Sequence, residues 1–161
     1  MKVVLDTNVL GKLCHPTNKK NRAFIESLVP ILESGNIEIF LPEIADYELR
    51  RKILQKCASD INWKISLSRL DALKETLSYL PIDTEVFLQA AQNWADAKNS
   101  GQQAAHDDAL DGDVILAAQA LSIGGKVVTE NEKHLSVFCE VLLPQKFIEE
   151  ATKTLRTKEL I

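Results

Sequence analysis

The N-terminal stretch MKVVLDTNVL (residues 1–10) places a carboxylate, Asp6, directly after a short apolar run. Residues 2–5 are mostly β-branched or leucine, and a run of this length is typical of a buried strand in a parallel sheet. Asp6 would then lie at the carboxyl end of that strand. In open α/β sheets this edge is where ligands bind, so Asp6 is the first candidate for a functional residue. The alternative is a plain turn or helix cap.

Strand-like and helix-like segments alternate along the rest of the chain. Further strands are predicted at 37–41, 126–129 and 139–143, each next to a Gly, Asn or Pro that marks a turn. Apolar residues at helical spacing predict helices over the segments 17–34, 43–58, 60–80, 83–99, 111–122 and 145–157. This alternation predicts an α/β fold with a mainly parallel central sheet of about four to five strands flanked by helices.

Length and composition limit the class of protein. The chain has 161 residues, of which 45% are hydrophobic and 26% are charged, as expected for one globular domain. Three separated cysteines without a Cys-x-x-Cys pair support neither a disulfide framework nor a thiolate zinc site. No apolar run is long enough to span a membrane, and the N-terminus lacks a signal-peptide cleavage site, so we expect a cytoplasmic protein.

The charge distribution bears on nucleic-acid binding. A net charge of −4 argues against a protein that coats nucleic acid, because such binding depends on excess Lys and Arg. The charges are uneven, however: residues 1–80 hold 12 basic and 10 acidic side chains, and residues 81–161 hold 7 and 13. The basic stretches 7–25 and 49–59 contain no acid. They form either a solvated basic face or a surface that binds phosphates.

Three other acids are candidates for a shared site with Asp6. Glu48 belongs to the predicted helix 43–58, near the boundary of its buried face, although an isolated Glu is commonly a plain surface residue. Asp111 and Asp113 precede an almost wholly apolar helix, where an Asp is commonly an N-cap. Two residues are separated by about 200° on a helix, so these two share a face only if Asp111 is the cap. Asp113 is therefore the stronger candidate.

A cluster of Asp6, Glu48 and Asp113 would offer oxygen ligands without His or Cys. Such sets suit hard cations, and we expect one or two Mg²⁺ or Mn²⁺ ions. Carboxylates packed together also need a cation, because otherwise at least one of them takes up a proton. Ions held in this way activate water and stabilise the charge of a phosphoryl displacement.

Four segments in order resemble the motifs of the PIN domain: VVLDTNVL, LPEIADYELRR, DGDVILAAQAL and KVVTENEKHL. The similarity is greatest to VapC-type toxins, the ribonucleases of bacterial toxin–antitoxin pairs. This resemblance implies one PIN-like nuclease domain over 1–161, with a long helical region at 59–100 and a C-terminal helix at 145–161. It also implies a metal-dependent endoribonuclease that cleaves RNA, a small antitoxin protein as partner, and a homodimer.

The resemblance also assigns roles to individual residues. The metal-binding and catalytic acids would be Asp6, Glu48 and Asp113, and the side chains that orient them by hydrogen bonds would be Thr7, Asn8 and Thr129. Asn131 stands at the fourth acidic position. An amide is a weaker ligand than a carboxylate, so a second metal site is in doubt unless Asp111 or Glu130 compensates.

The basic stretches that follow Asp6 and Glu48 predict the contacts to RNA. The candidates are Lys12, His15, Arg50 and Arg51.

Two other functions are compatible with parts of the sequence. A haloacid-dehalogenase-like phosphohydrolase would use Asp6 as a nucleophile, but it needs an acid two residues later, where this chain has Asn8. A PIN fold retained as a binding module without catalysis is the other alternative, and only Asn131 favours it.

Overall fold

The computed structural model describes residues 1–17, 19, 21–100 and 107–158. Within them the chain forms one sheet, whose strands are β1 (Lys2–Leu5), β2 (Glu38–Pro42), β3 (Ser78–Leu80), β4 (Lys126–Val128) and β5 (Val141–Leu142). The strand order is β3-β2-β1-β4-β5, and every neighbouring pair is parallel. The predicted α/β fold with a parallel sheet is confirmed.

Helices connect and cover these strands. The described residues form α1 (Thr7–Cys14), α2 (Arg22–Glu33), α3 (Glu43–Cys57), α4 (Trp63–Thr76), α5 (Thr84–Asn99), α6 (Asp107–Ser122), α7 (Glu132–Leu135) and α8 (Pro144–Lys158). Among the described residues, no helix is both long enough and apolar enough to cross a membrane.

The central strand β1 fixes both layers of the core. Its side chains alternate between the two faces of the sheet, as the pleat requires. Val3 and Leu5 join a large cluster with residues of α1, α2, α3, α4 and α8, whereas Val4 packs with Leu116 and Ala117 of α6 on the other face. The protein is therefore a three-layer α/β/α structure.

The strand order creates a switch point in the sheet. The chain leaves β1 toward β2 on one side, whereas β4 joins β1 on the other, so this switch point lies at the carboxyl ends of β1 and β4.

Several predicted boundaries were wrong. The segment 60–80 was expected to be helical throughout, but α4 ends at Thr76 and the edge strand β3 follows, because the helical spacing of leucines continues to Leu77 and hides a three-residue strand. The helix expected at 17–34 is α2, which begins only at Arg22, and the short helix α1 was not predicted. The C-terminal helix was expected over 145–161, of which 159–161 lie outside the described residues.

Candidate metal centre

Asp6 directly follows β1 and is the N-cap of α1, and hydrogen bonds hold its carboxylate in place. The backbone N–H of Thr7 donates to Oδ1 at 2.5 Å, and Asn8 Nδ2 and Thr129 Oγ1 both donate to Oδ2 at 2.6 Å. Asp6 is only 9% exposed. Burial raises the pKa of its carboxyl, the hydrogen bonds from Thr129 and Thr7 oppose that rise, and the charge of Glu48 adds to it. The carboxylate is thus oriented on both oxygens.

Thr129 is placed beside Asp6 because β4 pairs with β1, with Leu5 opposite Val128. Its fully buried hydroxyl donates to Asp6 and accepts from the backbone N–H of Asn131 at 2.8 Å. The side chain of Asn131 is exposed, so this residue reaches the site through its backbone. Asn8 Nδ2 also lies 3.3 Å from Thr129 Oγ1, which links the turn after β1 to the turn after β4.

Glu48 comes from α3, the helix that follows β2. Thr7 Oγ1 donates to its Oε2 at 2.7 Å, so the second acid is tied to the residue that follows the first. Its other oxygen, Oε1, lies directly against the backbone of Gly112 in α6, where any side chain larger than hydrogen would overlap it, even at the Cβ atom. Glu48 therefore bridges the end of β1 and the helix that carries Asp113.

Asp113 lies in α6 and shares the electrostatic environment of the other two acids. Burial raises the pKa of its carboxyl to about 6, and the charge of Asp6 adds to that rise, with a smaller contribution from Glu48. His134, just after β4, acts in the opposite direction. Three segments that are distant in sequence thus contribute one carboxylate each, and the charges of these carboxylates act on one another.

Asp111 lies elsewhere. It was expected to be an N-cap, but α6 begins at Asp107, so Asp111 and Asp113 both lie inside the helix and point to different sides. Asp111 is exposed and lines a cavity toward α5 with Phe87 and Trp94. The structure therefore gives no support to the expectation that Asp111 compensates for Asn131.

The basic side chains proposed to contact RNA divide into two groups. Lys12 Nζ lies 2.5 Å from Glu130 Oε1 beside the site, and His15, at the end of α1, is exposed. On α3, Arg51 is exposed and lies 5.1 Å from the centre of the Tyr47 ring. His15 and Arg51 are therefore accessible to a phosphate, whereas Lys12 would have to leave Glu130 to reach one.

Arg50 occupies a structural position instead. Its guanidinium contacts the buried carboxylate of Asp46 at 2.9 Å and that of Asp71 on α4 at 2.8 Å. It therefore ties α3 to α4, and we do not include it in the functional site. Asn18 and Lys20 of the basic stretch 7–25 lie outside the described residues.

The donor set fits a hard divalent cation, although the side chains do not form a closed cage. Among the described residues, no group of three His, Cys, Asp or Glu side chains is arranged closely enough to hold an ion at once. Mg²⁺ does not require such a cage, because it usually keeps several waters and binds one or two carboxylates together with phosphates of a substrate. The two fixed carboxylates of Asp6 and Glu48, with Asp113 beside them, meet that requirement.

Comparison with known proteins identifies the family of the chain. Residues 3–140 match the sequence model of the PIN domain, and the chain belongs to the PIN domain family. A comparison with curated protein sequences finds no significant match.

Several solved structures share the fold of this chain. The FitAcB structure from Neisseria gonorrhoeae is 25% identical with a TM-score of 0.64, covering 89% of this chain and 98% of that one. The VapBC2 structure from Rickettsia felis, bound to a DNA fragment from the promoter, is 16% identical with a TM-score of 0.66 and covers 88% and 98%. VapBC-5 from Mycobacterium tuberculosis, a member of the VapBC family of toxin–antitoxin systems, is 21% identical with a TM-score of 0.58 and covers 88% and 95%.

Two residues near the site were not predicted from the sequence. Gly112 could have been found, because a glycine between two acids inside a helical pattern indicates a close approach of another group. His134 was not among the candidates, because its electrostatic effect on Asp113 depends on the path of the chain after β4, which no local pattern reveals.

Proposed function

We propose that this protein is an endoribonuclease that depends on a divalent cation and serves as the toxin of a toxin–antitoxin pair. The observation that carries the proposal is the convergence of Asp6, Glu48 and Asp113 at the carboxyl end of β1 in a chain of the PIN family. A purely structural role does not account for three acids that repel one another, since such crowding destabilises a fold unless a cation neutralises it.

We assign the metal ion, Mg²⁺ or Mn²⁺, to the site of these three acids, with one or two of the carboxylates as direct ligands and water in the other positions. A bound ion of this kind supplies activation of water and stabilisation of negative charge on a phosphoryl group. The protein's own contribution is orientation: Thr129 and Asn8 fix Oδ2 of Asp6, and Thr7 fixes Glu48. Because the side chain of Asn131 is exposed and Glu130 pairs with Lys12, we expect one ion to be held tightly in the absence of RNA.

RNA is the substrate that the charges favour. The helix α1, which begins directly after Asp6, contains Lys12 and no acidic residue, and His15 follows at its end. Arg51 lies one turn of α3 beyond Glu48 and is exposed. A phosphate that approached the carboxylates would therefore have cations on two sides, which suits a phosphodiester better than a neutral substrate.

We infer two protein partners, a small antitoxin and a second copy of this chain. The VapBC and FitAcB structures support the first inference, because the similarity extends over nearly the whole length of those chains. Exposed apolar side chains on α5, Phe87 at 54% and Leu88 at 61%, provide a surface that a partner chain would cover.

The test is cleavage of a fluorescently labelled RNA pool by purified protein with Mn²⁺, with Mg²⁺ and with EDTA. We expect cleavage with either ion, none with EDTA, and a loss of at least about a hundredfold in rate for Asp6→Asn, since removal of a group that stabilises transition-state charge has effects of this size. Asp111→Asn, two residues from Asp113 on another side of α6, is the matched control and should cleave normally.

Two results would contradict the proposal. Cleavage that survives Asp6→Asn and Asp113→Asn would arise from another site or a contaminant. Folded protein that cleaves no RNA with either ion would instead favour a PIN fold used only for binding. Expression in bacteria gives an independent check: growth arrest is expected for the native protein and not for Asp6→Asn.

A further inference from the structure

A cavity of about 330 Å³ opens directly beside the carboxylate cluster, between α1, α3 and α4. Asn8, whose amide donates to Asp6, is also part of its wall, as is Lys12, which reaches across to Glu130. The cavity and the candidate metal centre are thus adjoining parts of one surface. Its size lies in the range of about 300–1,000 Å³ that is typical of pockets for small ligands.

The lining combines an apolar floor with a basic rim. Leu49 and Ile53 of α3 are buried beneath it, and Trp63 at the start of α4 forms a half-buried wall. Lys52 and Lys56 lie exposed at the rim, and none of the described lining residues is an acid. In a chain of net charge −4, this local excess of positive charge attracts an anion.

Trp63 is positioned as a stacking surface. The ring of His15 meets it edge-on, with the ring centres 5.4 Å apart, and the ammonium of Lys56 lies 4.0 Å from its centre. These two contacts hold the indole in place. A ligand that carries both an aromatic ring and a phosphate could stack on the indole while the ammonium of Lys56 turns toward the phosphate.

The other cavities have different chemistry. The cavity between α5 and α6 is lined by Phe87 and Trp94 but also by the acid Asp111, and a groove between α2 and α4 is lined by apolar side chains such as Leu28 and Leu73. Neither combines aromatic and cationic groups in its described lining, and neither includes a residue that contacts Asp6 by a hydrogen bond.

We propose that the cavity between α1, α3 and α4 binds one nucleotide of the RNA, with its base against Trp63 and its phosphate at Lys52 and Lys56. The inference rests on the proposed function, since it places this nucleotide next to the phosphodiester bond at Asp6. It makes the cavity a determinant of where the RNA is cut, because a base that fits the wall fixes the position of the neighbouring phosphate.

Fluorescence tests the proposal without any cleavage. The chain has two tryptophans, so Trp94→Phe leaves Trp63 as its only indole, and Trp63→Phe leaves Trp94. Each variant is titrated in EDTA with the four nucleoside 5′-monophosphates and with ribose 5-phosphate. The protein with Trp94 alone is the matched control, since Trp94 also has a lysine over its ring but lies on α5. It corrects for light absorbed by the nucleotide.

We expect at least one nucleotide to quench the fluorescence of Trp63 saturably and to leave that of Trp94 unchanged. Ribose 5-phosphate should bind about tenfold or more weakly, because stacking of a base on an aromatic ring changes affinity by that order. Equal affinity for ribose 5-phosphate and the nucleotides would overturn the proposal, since the cavity would then bind only phosphate. If no nucleotide quenches the fluorescence of Trp63 saturably, the proposal is overturned as well. If only a partner protein changes that fluorescence, the cavity belongs to the partner protein.

A second variant tests the proposal without changing a tryptophan, in case the tryptophan variants misfold. Lys52 and Lys56 are exposed, so the double change to Glu should leave the fold intact, and circular dichroism checks this. It should weaken nucleotide binding about tenfold or more, since each cation is exchanged for an anion at the phosphate. Unchanged affinity would contradict the assignment of these lysines.

Failure of this proposal is distinguishable from failure of the proposed function. If the protein cleaves RNA with Mn²⁺ and the positions of the cuts are the same for Trp63→Leu as for the native chain, the nuclease remains and the nucleotide pocket does not. If nucleotides bind but no RNA is cleaved, the pocket remains and the nuclease does not.

Discussion

Replacing Asp113 by Asn should make the metal-free protein more stable. It should also reduce the stabilisation that the protein gains from a bound metal ion. The pKa of this carboxyl is raised from 3.8 to about 6 by burial and by the charge of Asp6, so its ionised form is unfavourable in the fold. A shift of about two units corresponds to about 3 kcal/mol at most. Asp113 is partly exposed, and screening by solvent reduces the expected gain in free energy of unfolding to about 1–2 kcal/mol at pH 7.5.

The pH dependence follows from the direction of the shift. Between pH 3.8 and about 6 the folded native protein holds more protons on Asp113 than the unfolded chain does, so its free energy of unfolding falls as the pH rises through that window. The free energy of unfolding of Asp113→Asn does not fall in this window, because asparagine does not ionise. The gain in stability over the native protein should therefore be absent below about pH 4 and complete at neutral pH.

Thermal unfolding in EDTA measures the effect. For a domain of this size the gain corresponds to a rise in Tm of about 2–8 °C for Asp113→Asn, and the matched variant Asp111→Asn should change Tm little. With Mn²⁺ the native protein should gain Tm and Asp113→Asn should gain less. A lower Tm for Asp113→Asn in EDTA at pH 7.5 would refute the reasoning, because the carboxylate would then be stabilised by its surroundings.

Four further substitutions test other parts of the structure. Thr129→Val keeps the shape but removes a buried hydroxyl with three hydrogen bonds, so urea unfolding should show a loss of about 2–3 kcal/mol. Gly112→Ala should force Glu48 to rotate away, and calorimetry should show weaker Mn²⁺ binding with the fold intact. Arg50→Ala leaves a buried carboxylate without its main partner and should cost about 2–4 kcal/mol, whereas Arg51→Ala should leave stability unchanged and weaken RNA binding in a filter assay.

Controls make each of these results specific. Thr76 is exposed on α4 and bonds only to a carbonyl of its own helix, so Thr76→Val should change stability little. Gly11 also lies inside a helix, but its added methyl group would make only an ordinary contact with Leu49, so Gly11→Ala should leave Mn²⁺ binding unchanged and should not reduce stability. Equal effects of the paired changes would contradict the roles of Thr129 and Gly112.

The sequence predicted the strands that carry the site because their signals are local. The apolar run before Asp6 and the pair Gly124-Gly125 before β4 mark both strands, and the parallel order follows from the alternation with helices. The prediction failed where tertiary contacts decide. The edge strand β3 is only three residues long and follows leucines at helical spacing, so its pairing with β2 overrides the local pattern.

The same distinction holds for the candidate site. The sequence alone named the acids, but it could not show that Thr7 forms a hydrogen bond with Glu48. It also could not show that Arg50 forms ion pairs with Asp46 and Asp71. These contacts join residues of different elements. Likewise, the start of α6 at Asp107 rather than Asp111 decides that Asp111 points away from Asp113.

The central claim, that Asp6 after β1, Glu48 on α3 and Asp113 on α6 belong to one site for a divalent cation, is tested most directly by Mn²⁺ binding measured by electron paramagnetic resonance. The native protein should bind one Mn²⁺ per chain, and Mg²⁺ should displace it. Asp6→Asn should weaken binding about tenfold or more, since it removes the most firmly oriented carboxylate. Equal Mn²⁺ affinity in the native protein and in Asp6→Asn would contradict the account.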